Sequence, residues 1–205
     1  MKKLIVLGLL LLTGAFSYAQ GIQLGIRAGV NNGTMSTKIP NIVEGPVQNG
    51  LLVGAFGRVS LLGFFVQPEI NYSTRKARFE QVAVGQFTNT LNYIDINAMF
   101  GYSLIGVLRV NVGPTLMTLV SASQEGDAAL KDGSYSKDFY EASAWGFQAG
   151  VGFDLGKLCI DLRYDTNLTN MGKKNMNSTR FGYPTDYSTG YSMYTFTLGY
   201  KIFKL

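Results

Sequence analysis

The sequence predicts an all-β protein that folds as an eight-stranded, antiparallel, up-and-down barrel. Segments of alternating apolar and polar residues recur along the chain, and no convincing helical pattern remains once these segments are assigned. Long connections alternate with short ones without exception, as they would if every second connection lay at the same rim. The predicted strands are Gly21–Val30, Gly50–Val59, Phe64–Arg75, Thr90–Tyr102, Val107–Thr118, Ala144–Leu155, Lys157–Thr166 and Tyr191–Phe203.

The clearest hairpin lies in the stretch WGFQAGVGFDLGKLCIDLRYD, residues 145–165. Apolar residues occupy the odd positions before Gly156 and the even positions after Lys157. A two-residue turn that begins with glycine brings both sets onto one face, and a slip of one residue would mix the faces. The predicted register pairs Leu155 with Leu158, Phe153 with Ile160, Val151 with Leu162, and Ala149 with Tyr164.

The first 19 residues are predicted to be a cleaved secretory signal. Lys2 and Lys3 form a basic start, residues 4–12 are an apolar run, and small residues at Ser17 and Ala19 precede Gln20. The apolar run is short for a transmembrane helix. Residues 20–205 are then predicted to form one exported barrel domain.

The uneven connections predict where this barrel resides. The short ones are the stretches SLLG and SLIG and the turn at Gly156, and the others are long and mostly polar. Short periplasmic turns, long extracellular loops and an even strand number are the pattern of transmembrane barrels of the bacterial outer membrane. Strands of about ten residues suit a tilted crossing of the hydrocarbon layer. We therefore expect a cell outer-membrane protein, and a monomer.

The choice of which face lines the lumen separates two classes of barrel. A soluble periplasmic barrel that binds an apolar ligand would turn its apolar face inward, whereas a membrane barrel turns that face toward lipid. The signal, the loop asymmetry and the many glycines in the polar rows favour the membrane barrel. The predicted second strand is ambiguous, because Leu51 and Leu52 place apolar residues on both faces. Aromatic residues on the apolar face, several near strand ends, suggest interfacial girdles: Tyr72, Trp145, Tyr164, Tyr194 and Tyr200.

Charged residues on the polar face are predicted to form a structural network inside the barrel. Buried charges are costly unless they are paired, and side chains generally fill an eight-stranded lumen. A narrow path for ions or small solutes is the alternative. The predicted interior charges are Arg27, Arg58, Glu69, Asp95, Arg109, Asp161 and Arg163.

The composition argues against several classes of function. The chain contains no histidine, so catalytic sites in which histidine assists a nucleophile or water are excluded, as are imidazole metal sites. A net charge of +5, with dispersed basic residues, does not indicate nucleic-acid binding. We predict a protein that is not an enzyme and has no cofactor.

The long loops are the remaining place for function. Lys173, Lys174 and Arg180 are candidates for contact with lipopolysaccharide phosphates or glycan. The acidic loop at residues 125–141 has no coordinating spacing for a cation, so no metal site is predicted. The expected partners are outer-membrane lipid or lipopolysaccharide, and another envelope protein or a glycan bound through the surface loops.

Several motifs, taken in order, resemble those of a known family. The stretches IQLGIRAGVNNGTM, FFVQPEINYSTRKA, LNYIDINAMFGYSL, LRVNVGPTL, WGFQAGVGFDLG, LCIDLRYDTNLTNM and FTLGYKIF resemble the successive strands of PorT-like outer-membrane β-barrel domains of the Bacteroidota. Asn97 stands where that family usually has proline. The resemblance implies an outer-membrane, eight-stranded barrel but no single activity and no catalytic residues. It also raises the alternative of a component of a secretion or gliding apparatus.

Overall fold

The computed structural model describes residues 21–37, 42–81, 85–104, 107–126, 140–172 and 189–204. Eight strands within these residues close into a barrel in which each strand pairs with its neighbours in chain order and β8 pairs with β1. All eight pairings are antiparallel, which confirms the predicted fold. The strands are β1 Gly21–Thr37, β2 Ile42–Leu61, β3 Phe64–Gln81, β4 Gly85–Ser103, β5 Leu108–Gly126, β6 Ser143–Leu155, β7 Leu158–Asn167 and β8 Thr189–Lys204.

The strand register fixes the tilt of the barrel wall. Following the paired residues once around the barrel from Asp154 of β6 leads back to β6 at Ala144, ten residues away. A stagger of this size over eight strands tilts them by about 40° from the barrel axis, given ~3.3 Å per residue and ~4.8 Å between strands. Residues that pair directly on neighbouring strands therefore lie at different heights along the axis.

The short connections and both described chain ends lie at one rim, called here the turn end. The predicted β6–β7 register is confirmed from Leu155–Leu158 to Ala149–Tyr164. Gly156 has a φ of 64°, which suits the first central position of a primed turn. The β2–β3 turn consists of Leu62 and Gly63, with φ values of 52° and 85°. Leucine at positive φ is unusual, and no sequence pattern predicted it here.

The strands are longer than predicted at the opposite rim, called the loop end. β1 to β5 continue to Thr37, Ile42, Gln81, Gly85 and Gly126, where the sequence pattern placed loops. The prediction relied on the alternation of apolar and polar residues, and this alternation ends where the strands rise above the apolar band of the outer wall. Backbone pairing continues without it, because ladder hydrogen bonds do not depend on apolar side chains.

The apolar face of the barrel points outward. In the ambiguous second strand, Leu51 is 68% exposed and Leu52 is 8% exposed, so the odd-numbered residues there face outward. The soluble alternative, which needs the apolar face inside, is therefore wrong. Within the described ranges, no helix is long and apolar enough to cross a membrane.

Candidate functional site in the barrel lumen

All seven predicted interior charges are buried on the lumen side of the wall. They lie on six different strands, which alternate in direction around the barrel. Side chains at alternate positions of each strand point to the same face, and these charges stand at the alternate positions that face the lumen. The structure brings most of them into direct contact in three groups along the axis.

The central group is built around Glu69 of β3. Arg163 of β7 binds its carboxylate with two hydrogen bonds, of 2.9 Å to Oε2 and 2.8 Å to Oε1. Arg27 of β1 forms an ion pair with the same carboxylate. Asn97 Nδ2 donates to Oε2 at 2.9 Å, and Gln67 Nε2 donates to Oε1 at 2.6 Å. Glu69 is therefore a fully buried carboxylate shared by two guanidinium groups.

The lower group lies nearest the turn end and contains two residues that were missing from the predicted network, Asp154 and Lys201. Arg109 binds both oxygens of Asp161, at 2.7 and 2.9 Å, and its Nε donates to Asp154 at 3.0 Å. Arg58 Nη1 and Lys201 Nζ approach the other oxygen of Asp154, at 2.6 and 3.4 Å. Asp154 thus joins three cations at the turn end of the lumen.

The upper group contains two further residues that the prediction omitted, Arg75 and Asp165. Arg75 pairs with Asp95 at 2.9 Å, and its guanidinium lies over the rings of Tyr93 and Tyr191, at 4.6 and 5.0 Å. Asp165 is buried and accepts a hydrogen bond from the Thr195 hydroxyl, but it makes no ion pair with another described residue.

The same parity rule could have found all four omitted residues. Asp154, Asp165 and Lys201 stand on the polar faces of their predicted strands, and Arg75 continues the row of Glu69. Arg75 stood at the last residue of its predicted strand, although β3 continues six residues beyond it, to Gln81.

These ion pairs cross the full width of the lumen. Arg163 on β7 reaches Glu69 on β3, and Arg58 on β2 reaches Asp154 on β6. In a closed ring of eight strands, β3 and β7 are directly opposite, as are β2 and β6. The barrel axis is therefore crossed by bonded side chains at two heights, which favours a filled lumen over an open path.

An apolar plug covers the charged groups at the loop end. Two residues that follow or precede long loops, Tyr140 and Met171, are buried there, 5% and 1% exposed. Their segments are joined by a bridge between Tyr140 and Gly172 and by a 2.9 Å hydrogen bond from Glu141 N to Met171 O. The buried residues of the plug are Ala77, Leu91, Tyr93, Met117, Tyr140, Ala144, Met171, Tyr191 and Met193.

The outer wall carries two belts of aromatic residues. At the turn end Phe64 packs on Tyr102 with ring centroids 4.7 Å apart, and at the loop end Tyr164 packs on Tyr194 at 5.4 Å. Tyr72 is eight positions beyond Phe64 on β3, which is about 26 Å of strand and about 20 Å along the tilted axis. The wall between the belts is apolar and exposed, and its height is close to the band of ~25 Å expected for an outer-membrane barrel.

The predicted loop contacts Lys173, Lys174 and Arg180 lie outside the described residues. Of the acidic loop, Glu125 is exposed at the end of β5 and Glu141 is partly exposed beside the plug. Residues 127–139 between them also lie outside the described ranges.

Comparison with known families decides what kind of barrel this is. The model of the outer membrane protein beta-barrel domain matches residues 18–173, which is most of the chain. The chain belongs to this family. The turn end of an outer-membrane barrel faces the periplasm and the loop end faces the outside, so the plug and the projecting strands are extracellular.

Three solved structures are similar to this chain, and the first of them shares its fold. Neisserial surface protein A is 12% identical, with a TM-score of 0.53, over 87% of this chain and 97% of that one. The attachment invasion locus protein Ail of Yersinia pestis is 13% identical, with a TM-score of 0.46, over 89% and 99%. OprG of Pseudomonas aeruginosa is 10% identical, with a TM-score of 0.47, over 90% and 97%. The comparison with curated proteins gave no match.

Proposed function

We propose that this protein is a non-enzymatic interaction barrel that binds its partners on the extracellular side through its loops. The observation that supports this most directly is the pair of ion-pair groups that span the lumen beneath an apolar plug. A lumen crossed by ion pairs in this way favours a barrel that acts as a rigid support for its loops over a barrel that conducts solutes. The strands β2 to β5 continue past the aromatic belt, so the strand ends from which the loops depart project above the membrane surface.

The partners that fit this arrangement are lipopolysaccharide, a glycan or another envelope protein, bound by a monomeric barrel. The ordered strand motifs further support membership of the PorT-like domains of the Bacteroidota. On this proposal, an apparatus for secretion or gliding is the envelope assembly to examine first.

Replacing residues 127–138 with a short Gly-Ser linker tests the proposal. Because β5 ends and β6 begins at the loop end of the closed wall, we expect the variant to keep the fast-migrating, heat-modifiable band of a folded barrel. Partners cross-linked on intact cells and identified by mass spectrometry should decrease at least tenfold. A matched replacement of the β2–β3 turn at residues 62–63 by Asn-Gly should change neither readout.

Two outcomes would contradict the proposal. If the loop variant no longer folds, the loop belongs to the barrel structure and is not only a recognition surface. If the unmodified protein gives steady single-channel currents in planar bilayers, the lumen is a solute path and the channel alternative is correct.

A further inference from the structure

The outward face of β3 changes character above the extracellular aromatic belt. Its lower outward positions are apolar and end at Tyr72. The next outward residues are Thr74, Lys76 and Arg78, and both cations are exposed. Positions two apart on a strand share a face, so the two cations lie one above the other on the outer wall.

The height of Lys76 matches the headgroup layer of the outer leaflet, and Arg78 lies about 5 Å above it along the axis. Lys76 is four residues beyond Tyr72, which is about 13 Å of strand and about 10 Å along the tilted axis. The polar region of a bilayer extends roughly 5–8 Å beyond each side of the hydrocarbon core. A lysine stem of about 6 Å that bends toward the membrane brings its ammonium group into this layer.

Two hydroxyl groups on β4 complete the surface. Lys76 pairs directly with Thr90, and Arg78 pairs directly with Thr88. Both threonines are partly exposed on the same outer face. Directly paired side chains lie about 5 Å apart at Cβ, so each cation has a hydroxyl beside it. We call these four residues the β3–β4 patch.

The surroundings of the patch leave its charge available. Below it, Thr74, Asn92 and Ser121 are hydrogen-bonded to one another across three strands, at 2.8 and 2.9 Å. Among the residues whose side chains the structure describes, Lys76 and Arg78 form no ion pair. Glu125, an exposed carboxylate in the same row, is two strands from Arg78, about 10 Å away.

We propose that the β3–β4 patch binds the phosphate groups of lipid A, the membrane anchor of lipopolysaccharide, in the outer leaflet. Guanidinium and ammonium groups bind phosphate oxygens by charge-assisted hydrogen bonds, and the threonine hydroxyls supply further donors. The acyl chains would then lie against the apolar wall below Tyr72. This site deepens the lipid contact of the proposed function, and it places that contact on the barrel wall.

The test is native mass spectrometry of the full barrel with lipid A that carries two phosphates. The Lys76→Gln, Arg78→Gln double variant is expected to bind it about 25-fold more weakly, because each cation near the surface contributes a factor of about 5. Glu125→Gln is expected to tighten binding a few-fold. The matched control is Lys157→Gln, Lys204→Gln, which removes two exposed cations at the periplasmic end and should leave binding unchanged.

Three results would overturn the inference. The first is a loss of lipid A binding in the control variant as large as that in the patch variant. The second is that lipid A without its phosphates binds as tightly as lipid A with two phosphates. The third is that phosphatidylglycerol competes as well as lipid A itself, which would show a general anionic-lipid surface. The patch variants should still show the heat-modifiable band and the loop-dependent partners. Loss of those two readouts would count against the proposed function, whereas loss of lipid binding alone bears on the patch.

Discussion

The substitution Glu69→Gln is expected to destabilise the barrel by about 3–5 kcal/mol, the range found when one partner of a buried ion pair is removed. Arg27 and Arg163 both pair with this carboxylate, and all three side chains are buried. The neutral amide would leave two guanidinium groups in the lumen without their shared counter-charge. Unfolding by urea in lipid vesicles, followed by tryptophan fluorescence, measures the loss.

Asp165→Asn is the matched control for that prediction. Asp165 is also a buried carboxylate of the lumen, but its observed contact is a hydrogen bond from Thr195, which an amide oxygen can still accept. The expected cost is about 1 kcal/mol or less. Equal losses for the two variants would show that burial of any carboxylate, and not the pairing at Glu69, determines the stability.

The second large effect is expected from Gly54→Ala on β2. A Cβ atom at Gly54 would clash with the carbonyl oxygen of Ile70 and lie 2.8 Å from the Cα of Asn71, both on the adjacent strand. Backbone atoms cannot move aside without opening the β2–β3 pairing. We expect a loss of about 3 kcal/mol or more, or failure to close the barrel, measured as the fraction of heat-modifiable protein after refolding.

Gly57→Ala, three residues along the same strand, is the control for the glycine prediction. Its added Cβ would lie on the outer wall, 3.3 Å from Cδ2 of Leu24, a flexible side-chain end. The variant should refold to nearly the same extent as the unmodified protein. A comparable loss in both variants would mean that glycine acts in β2 through chain flexibility and not through the close approach of the β3 backbone.

The barrel could be predicted from the sequence because its two faces differ so clearly. Where a strand crosses the apolar band, side chains must alternate between lipid and lumen, and this period of two fixes both strand and register. The residues of β6 and β7 show the pattern through every pair from Leu155–Leu158 to Ala149–Tyr164. The interior placement of charges such as Glu69 and Arg163 followed from the same parity.

The plug and the strand extensions could not be predicted in this way. Both lie above the membrane band, where water reaches the outer wall and alternation is no longer required. Tyr140 and Met171 enter the barrel from segments outside any strand, so no periodicity marks them. The pairing partners inside the lumen also depend on the stagger of the strands, which brings Glu69 to Arg163 across the axis and leaves Asp165 with Thr195.

The orientation of the apolar face toward lipid is tested most directly by Trp145, the one tryptophan of the chain. Its side chain is 50% exposed on the outer wall, next to the extracellular aromatic belt. In vesicles that contain brominated phospholipids, its fluorescence should be strongly quenched, most by bromine near the headgroups and less by bromine near the bilayer centre. Fluorescence unaffected by bromine at every depth would place Trp145 away from lipid and contradict the membrane-spanning barrel described above.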